Sequence, residues 1–165
     1  MTFSKHVQVA VALSSKSVLM CHVVPSKWNA SEAENMYTKS LAPALRRRSP
    51  GKRRFLVLED NDPSGYKAKL AVQAKEREKI SPMPFPKRSP DLNPLDYGFW
   101  ALVNRRLRKQ EAAFPFSKRE TRKQFIHRLK GTIRRVPAAT LTPLVQSMKR
   151  RCVALRAAEG RDFEE

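Results

Sequence analysis

Two aspartates of this chain occupy positions where a carboxylate can do chemistry. Asp60 follows the apolar run Phe55-Leu56-Val57-Leu58 and its neighbour Glu59. A short apolar run bounded by a turn reads as a strand buried on both faces of a parallel sheet. Open α/β sheets place reactive groups beyond the carboxyl ends of such strands. Asp96 falls in the first turn of a helix that begins with Asn93 as cap and Pro94 at the first helical position. There the helix dipole favours the ionised carboxylate. Carboxylates on rigid elements are ligands for hard divalent cations such as Mg²⁺ or Mn²⁺. Two such cations about 3.5–4 Å apart form the arrangement that cleaves and rejoins phosphodiesters. On position alone a plainer reading competes, in which Asp60 starts a turn and Asp96 only complements a helix dipole.

The elements that must hold these residues follow from local pattern. Residues 6–24 read as a β-hairpin, two β-rich runs turning at Ser14-Ser15-Lys16. A helix is expected over 29–47, capped by Asn29 with Glu32 at its third position and bent or ended early by Pro43. The strand spans 55–60. After it, the stretch from Tyr66 to Lys79 is helical in composition, with Leu70 and Val72 as its few apolar positions, and is expected on the surface. The connection from Ser81 to Pro90 holds Pro82, Pro84, Pro86 and Pro90 and is expected to be irregular. The helix bearing Asp96 covers 93–109, with Phe99, Trp100, Val103 and Leu107 on one face. Residues 118–160 give further basic helices interrupted at Pro137. Trp28, Tyr37, Phe99 and Trp100 read as core rather than as base-stacking platforms.

Composition limits the partner. The chain has 165 residues, 41% hydrophobic and 30% charged, the balance of one globular domain. No apolar stretch approaches the roughly 20 residues of a membrane span, so no membrane partner is expected. Cys21 and Cys152 lie far apart, and His6, His22 and His127 are scattered without ligand spacing, so no disulfide framework or His/Cys metal site is indicated. Thirty-four Lys and Arg against 15 Asp and Glu give a net charge of +19, which calls for a polyanionic partner. The densest cationic positions are Arg46, Arg47, Arg48, Lys52, Arg53 and Arg54 in the loop RRRSPGKRR, then Arg105, Arg106, Arg108 and Lys109 on the later helix. The loop reads equally as a DNA contact, as a nuclear address or as a solvated charge run.

Three stretches resemble one family. FLVLEDNDP (55–63) is similar to the second-aspartate motif of Tc/mariner-type DDE transposases, and SPDLNPLDYGFW (89–100) to their third-acid motif. SMKRRCVALRAAEG (147–160) resembles their closing helix. The resemblance covers about residues 6–160. It implies a single partial DDE superfamily endonuclease domain over 1–165, in an α/β fold of the RNase H-like (integrase-type) kind: a mixed sheet with flanking helices. It also implies Asp60 and Asp96 as second and third catalytic, metal-ligating acids, Mg²⁺ or Mn²⁺ as cofactor, and cleavage and strand transfer of DNA. Asp91 matches the motif but not a ligand position. A nuclear location follows for a eukaryotic source, and a homodimer is left open.

Departures from the pattern shape the expectation. Asp62-Pro63-Ser64-Gly65-Tyr66 replaces the Ala-Pro and nearby His of many relatives, which places the chain in a divergent branch. No Asp or Glu precedes Glu32, so the family's first strand and its aspartate are expected to be missing and catalysis to be impaired. The alternative is a non-catalytic basic nucleic-acid-binding protein.

Overall fold

In the computed structural model, residues 6–60, 62–86, 89–114 and 120–161 are described. They group into two compact units, residues 6–12 with 18–86 and residues 13–17 with 89–161.

In the first unit, β1 (Val9–Leu13) and β2 (Val18–Val23) form the expected hairpin. Its connecting residues belong to the second unit, where Ser14 N–H donates to the Ser17 carbonyl at 2.8 Å and Thr142 Oγ1 donates to the Ser15 carbonyl at 2.7 Å. A helical run follows as α1 (Ala30–Asn35), a widened π turn (Met36–Leu41) and α2 (Ala42–Arg48). Asn29 caps it as expected, its side chain accepting from Glu32 N–H at 2.9 Å. Pro43 does not end this helix. Its missing N–H falls just after the π turn, where the Ala42 N–H reaches back to the Tyr37 carbonyl, so the ladder loses little.

The strand expected over 55–60 is shorter: β3 is Phe55–Val57. It pairs in parallel with β4 (Ile80–Pro82), in register Phe55 with Ile80 and Val57 with Pro82. The start of the proline-dense connection is therefore regular, against expectation. The ladder enters by Phe55 N–H to the Lys79 carbonyl (2.9 Å) and leaves by Met83 N–H to the Val57 carbonyl (2.8 Å), so Pro82 needs no donor on that side. Burial of β3 on both faces is also corrected. Phe55 is buried while Leu56, pointing the other way, is 71% exposed. The two ribbons form separate two-stranded sheets among the described residues.

Between β3 and β4 runs α3 (Lys69–Arg77). Leu70 and Val72 are its exposed apolar residues, and Ala71, Ala74 and Lys75 form its buried face. Ala10 and Met20 from the hairpin, Ala33, Met36, Tyr37 and Leu41 from the first helix, Phe55, Ala71, Ala74 and Ile80 make one core.

The second unit is helical. A 3₁₀ turn (Pro90–Leu92) leads to a helix whose first turns are π (Leu95–Phe99) and whose body is α4 (Trp100–Ala112). Asn93 and Pro94 start it as expected, Asn93 Oδ1 accepting from Leu95 N–H at 3.1 Å. Then come α5 (Arg122–Arg134), opened by a Thr121/Gln124 capping box, and α6 (Ala138–Ala157) after Pro137. Phe99, Val103, Leu129, Ile133 and Leu141 are buried here. Among the described residues, no helix is long and apolar enough to cross a membrane.

Candidate active site

Just past β3 the adjacent acids Glu59 and Asp60 have different surroundings. Glu59 turns inward. One carboxylate oxygen accepts from the Tyr37 hydroxyl and the other from Lys75 Nζ, which also donates to the Tyr66 carbonyl at 2.8 Å. The Lys75 and Glu59 side chains are 6% and 11% exposed, so the charges neutralise each other away from solvent. Burial first, then the charge of Glu59 and its hydrogen bond, raise the Tyr37 phenol far above its ordinary range and keep it a donor. Asp60 is left exposed past the carboxyl end of β3.

The chain just past Asp60 is held by Asp62. Its carboxylate accepts from Trp28 Nε1 (2.9 Å), Ser64 N–H (3.1 Å), Ser64 Oγ (2.9 Å) and Gly65 N–H (3.0 Å). Burial raises its pKa, but the bonds from Ser64, Trp28 and Gly65 outweigh that and leave it below its ordinary value. Gly65 is obligatory: a Cβ there would lie 2.0 Å from Trp28 Nε1. Trp28 and Tyr66 meet edge to face at 5.2 Å.

In the second unit Asp96 is exposed within the π turn, and Asn93 Nδ2 donates to its Oδ2 at 2.7 Å. Its neighbour Tyr97 anchors that turn to α6, the hydroxyl donating to the Leu144 carbonyl at 2.6 Å and the ring lying 3.9 Å beneath the Arg151 guanidinium. Arg151 also donates to the Asp91 carbonyl at 3.2 Å. Gly98 admits Leu144, whose Cδ1 would be 2.4 Å from a Cβ there. Asp60 and Asp96 thus sit on braced elements of different units. Among the described residues no three His, Cys, Asp or Glu side chains converge as a metal cage.

Of the cationic residues singled out in the loop, Arg46 is tied to Glu78, while Arg47, Arg48, Lys52, Arg53 and Arg54 are exposed. On α4, Arg105, Arg108 and Lys109 are exposed, whereas Arg106 is half-buried and reaches the Arg135 carbonyl at 3.4 Å. Lys75, Tyr37 and Trp28 carry no motif signal. Lys75 was legible only by its place on the α3 face shared with Ala71 and Ala74.

The Tc1 transposase of Caenorhabditis elegans is 30% identical over 129 residues, 77% of this chain and 42% of that protein. The Tcb1 transposase of Caenorhabditis briggsae is 29% identical over 108 residues, 66% of this chain and 36% of its own length. The chain belongs to the Tc/mariner-type transposases. It spans about two fifths of the length of these curated relatives. No protein-family model matches it. The Mos1 transposase catalytic domain, solved with raltegravir and Mg, superposes with a TM-score of 0.80 at 22% identity, over 96% of this chain and 77% of that one. The corresponding Mn structure gives 0.82 over 99% and 80%. A Mos1 paired-end complex with the left transposon end gives 0.81 at 21% identity, over 98% of this chain and 46% of that one. The transposase chain therefore has the mixed α/β, RNase H-like fold of the Mos1 catalytic domain.

Proposed function

We propose that this chain is the DNA-acting core of a transposase in which Asp60 and Asp96 each serve as a metal-ligating carboxylate and the cationic loop and α4 contact DNA. The observation that carries the reading is the splitting of two adjacent acids. Glu59 is neutralised inside by Lys75 and Tyr37, while Asp60 is presented to solvent just beyond β3. The donor set is two hard carboxylates, which suits Mg²⁺ or Mn²⁺, the ions in the Mos1 structures. When bound, such an ion activates an attacking oxygen or stabilises a leaving one. The protein's own part is to keep both carboxylates on braced elements and to bind the phosphate backbone through its excess of 19 positive charges.

Of the five acids in the two aspartate motifs, Glu59, Asp60, Asp62, Asp91 and Asp96, two match the resembled ligand positions, Asp60 and Asp96. Cleavage by this chain alone is therefore slight. Mn²⁺ calorimetry and plasmid nicking with and without EDTA test the reading. Metal binding that Asp60→Asn removes, at a stability cost within about 0.5 kcal/mol for so exposed a residue, supports it. Metal binding that ignores both Asp60→Asn and Asp96→Asn sinks it. Salt-sensitive DNA affinity indifferent to EDTA would leave only a non-catalytic DNA-binding domain.

A further inference from the structure

The sequence of α5, RKQFIHRLKGTIR, contains five Lys or Arg, one His and no acid. Helical geometry sorts them. Leu129, Thr132 and Ile133 are buried against the unit's core. Arg128 is turned aside: its Nε and Nη2 donate to Glu120 at 2.8 and 2.6 Å, and Nη1 donates to the Leu107 carbonyl at 3.1 Å. Its guanidinium also lies 5.3 Å from the ring centroids of both Phe114 and Phe125. At 100° per residue Lys123, His127, Lys130 and Arg134 fall within about 60° of arc. Lys123, His127 and Arg134 are exposed and Lys130 is half-buried. Among the described residues none of the four makes a hydrogen bond or ion pair through its side chain.

We propose that this stripe of α5 is a contact surface for the phosphodiester backbone of duplex DNA, a site additional to the cationic loop and α4. The inference rests on the reading of the chain as a DNA-acting domain. From Lys123 to Arg134 the stripe is about 16 Å long, a length over which duplex DNA presents on the order of nine phosphates. Charge complementarity identifies the occupant. An anionic membrane surface would need an apolar face beside the cations, and the apolar face of α5 is already buried in protein. Gln124, the one amide on the helix, closes the capping box with Thr121. A contact made to phosphates carries no sequence information, so binding through the stripe is sequence-independent.

The test is fluorescence anisotropy with a labelled random duplex across a salt series, comparing the full chain with Lys123→Gln/Lys130→Gln/Arg134→Gln. Removing one cation that neutralises a phosphate lowers the slope of log affinity against log salt by about 0.9, so the triple variant should lose about 2.7, and at least about tenfold in affinity near 0.1 M salt. Lys149→Gln/Arg150→Gln/Arg156→Gln on α6, which removes the same charge from exposed positions, should lose distinctly less. Unchanged circular dichroism and melting confirm that each variant folds. Wild-type binding with no effect of the α5 substitutions overturns the inference and leaves the DNA reading standing. Equal losses from α5 and α6 overturn it in favour of bulk charge. Absence of wild-type duplex binding, with capture on phosphatidylserine vesicles instead, overturns both.

Discussion

Replacing Lys75 by Met should be the most damaging single change in the first unit that leaves its apolar packing intact. Met keeps the buried stem of the side chain, so the loss is electrostatic. Glu59, 11% exposed, retains only the Tyr37 hydroxyl as partner, and the Tyr66 carbonyl loses its 2.8 Å donor. Breaking a buried pair by removing one charge costs about 3–5 kcal/mol. Adding Glu59→Leu removes the stranded charge at the cost of the Tyr37 hydroxyl's acceptor, about 1–3 kcal/mol. The double variant should therefore be no less stable than Lys75→Met, with a coupling of about 2 kcal/mol between the sites. Urea denaturation followed by Trp28 fluorescence, in a Trp100→Phe background so that only the first unit reports, measures all three. A cost below about 1 kcal/mol for Lys75→Met, or strictly additive losses, would refute the argument that this pair is what turns Glu59 inward.

Two further outcomes bear on the segment past Asp60. Gly65→Ala must displace the Trp28 indole, since its Cβ would lie 2.0 Å from Nε1 and 2.5 Å from Cε2. The cost should be about 1–3 kcal/mol with a red-shifted Trp28 emission, and an unchanged spectrum would contradict it. Asp62 titrates below its ordinary value in the folded state, so its stabilisation is present above the unfolded pKa of about 3.9 and is lost as pH falls through the lower folded value. Trp28→Phe, which deletes one of the four bonds, should raise the Asp62 midpoint in a carboxyl NMR titration. Asp62→Asn should flatten the acid limb of stability below about pH 4, and a wild-type slope there in the variant would count against the assignment.

What the sequence made legible was local. The Asn29 and Asn93 caps and the Ser14–Ser17 turn are satisfied by groups two to four residues away, and residue type alone announces them. The strand Ile80–Pro82 was not legible, because three residues ending in proline signal a loop. Its partners, Phe55 to Val57, lie 25 residues earlier, and only their placement supplies the pairing. The inward face of α3 is hidden in the sequence for a related reason. Leu70 and Val72 are its conspicuous apolar residues, yet both are exposed, while Ala71 and Ala74 let the helix approach closely enough for Lys75 to reach Glu59.

The same distinction governs the candidate site. Residues 55–60 name two adjacent acids without saying which of them faces solvent, because alternation fixes only that they differ. The choice is made by Lys75 and Tyr37, residues from α3 and from the first helical run that no motif includes. The cations divide likewise. Dense runs mark residues 46–54 and 105–109, of which Arg46 and Arg106 are already engaged by Glu78 and the Arg135 carbonyl. On α5 the cations are spaced so that only the helical period gathers them, and there the folded chain turns Arg128 toward an acid and leaves Lys123, Lys130 and Arg134 on one open stripe.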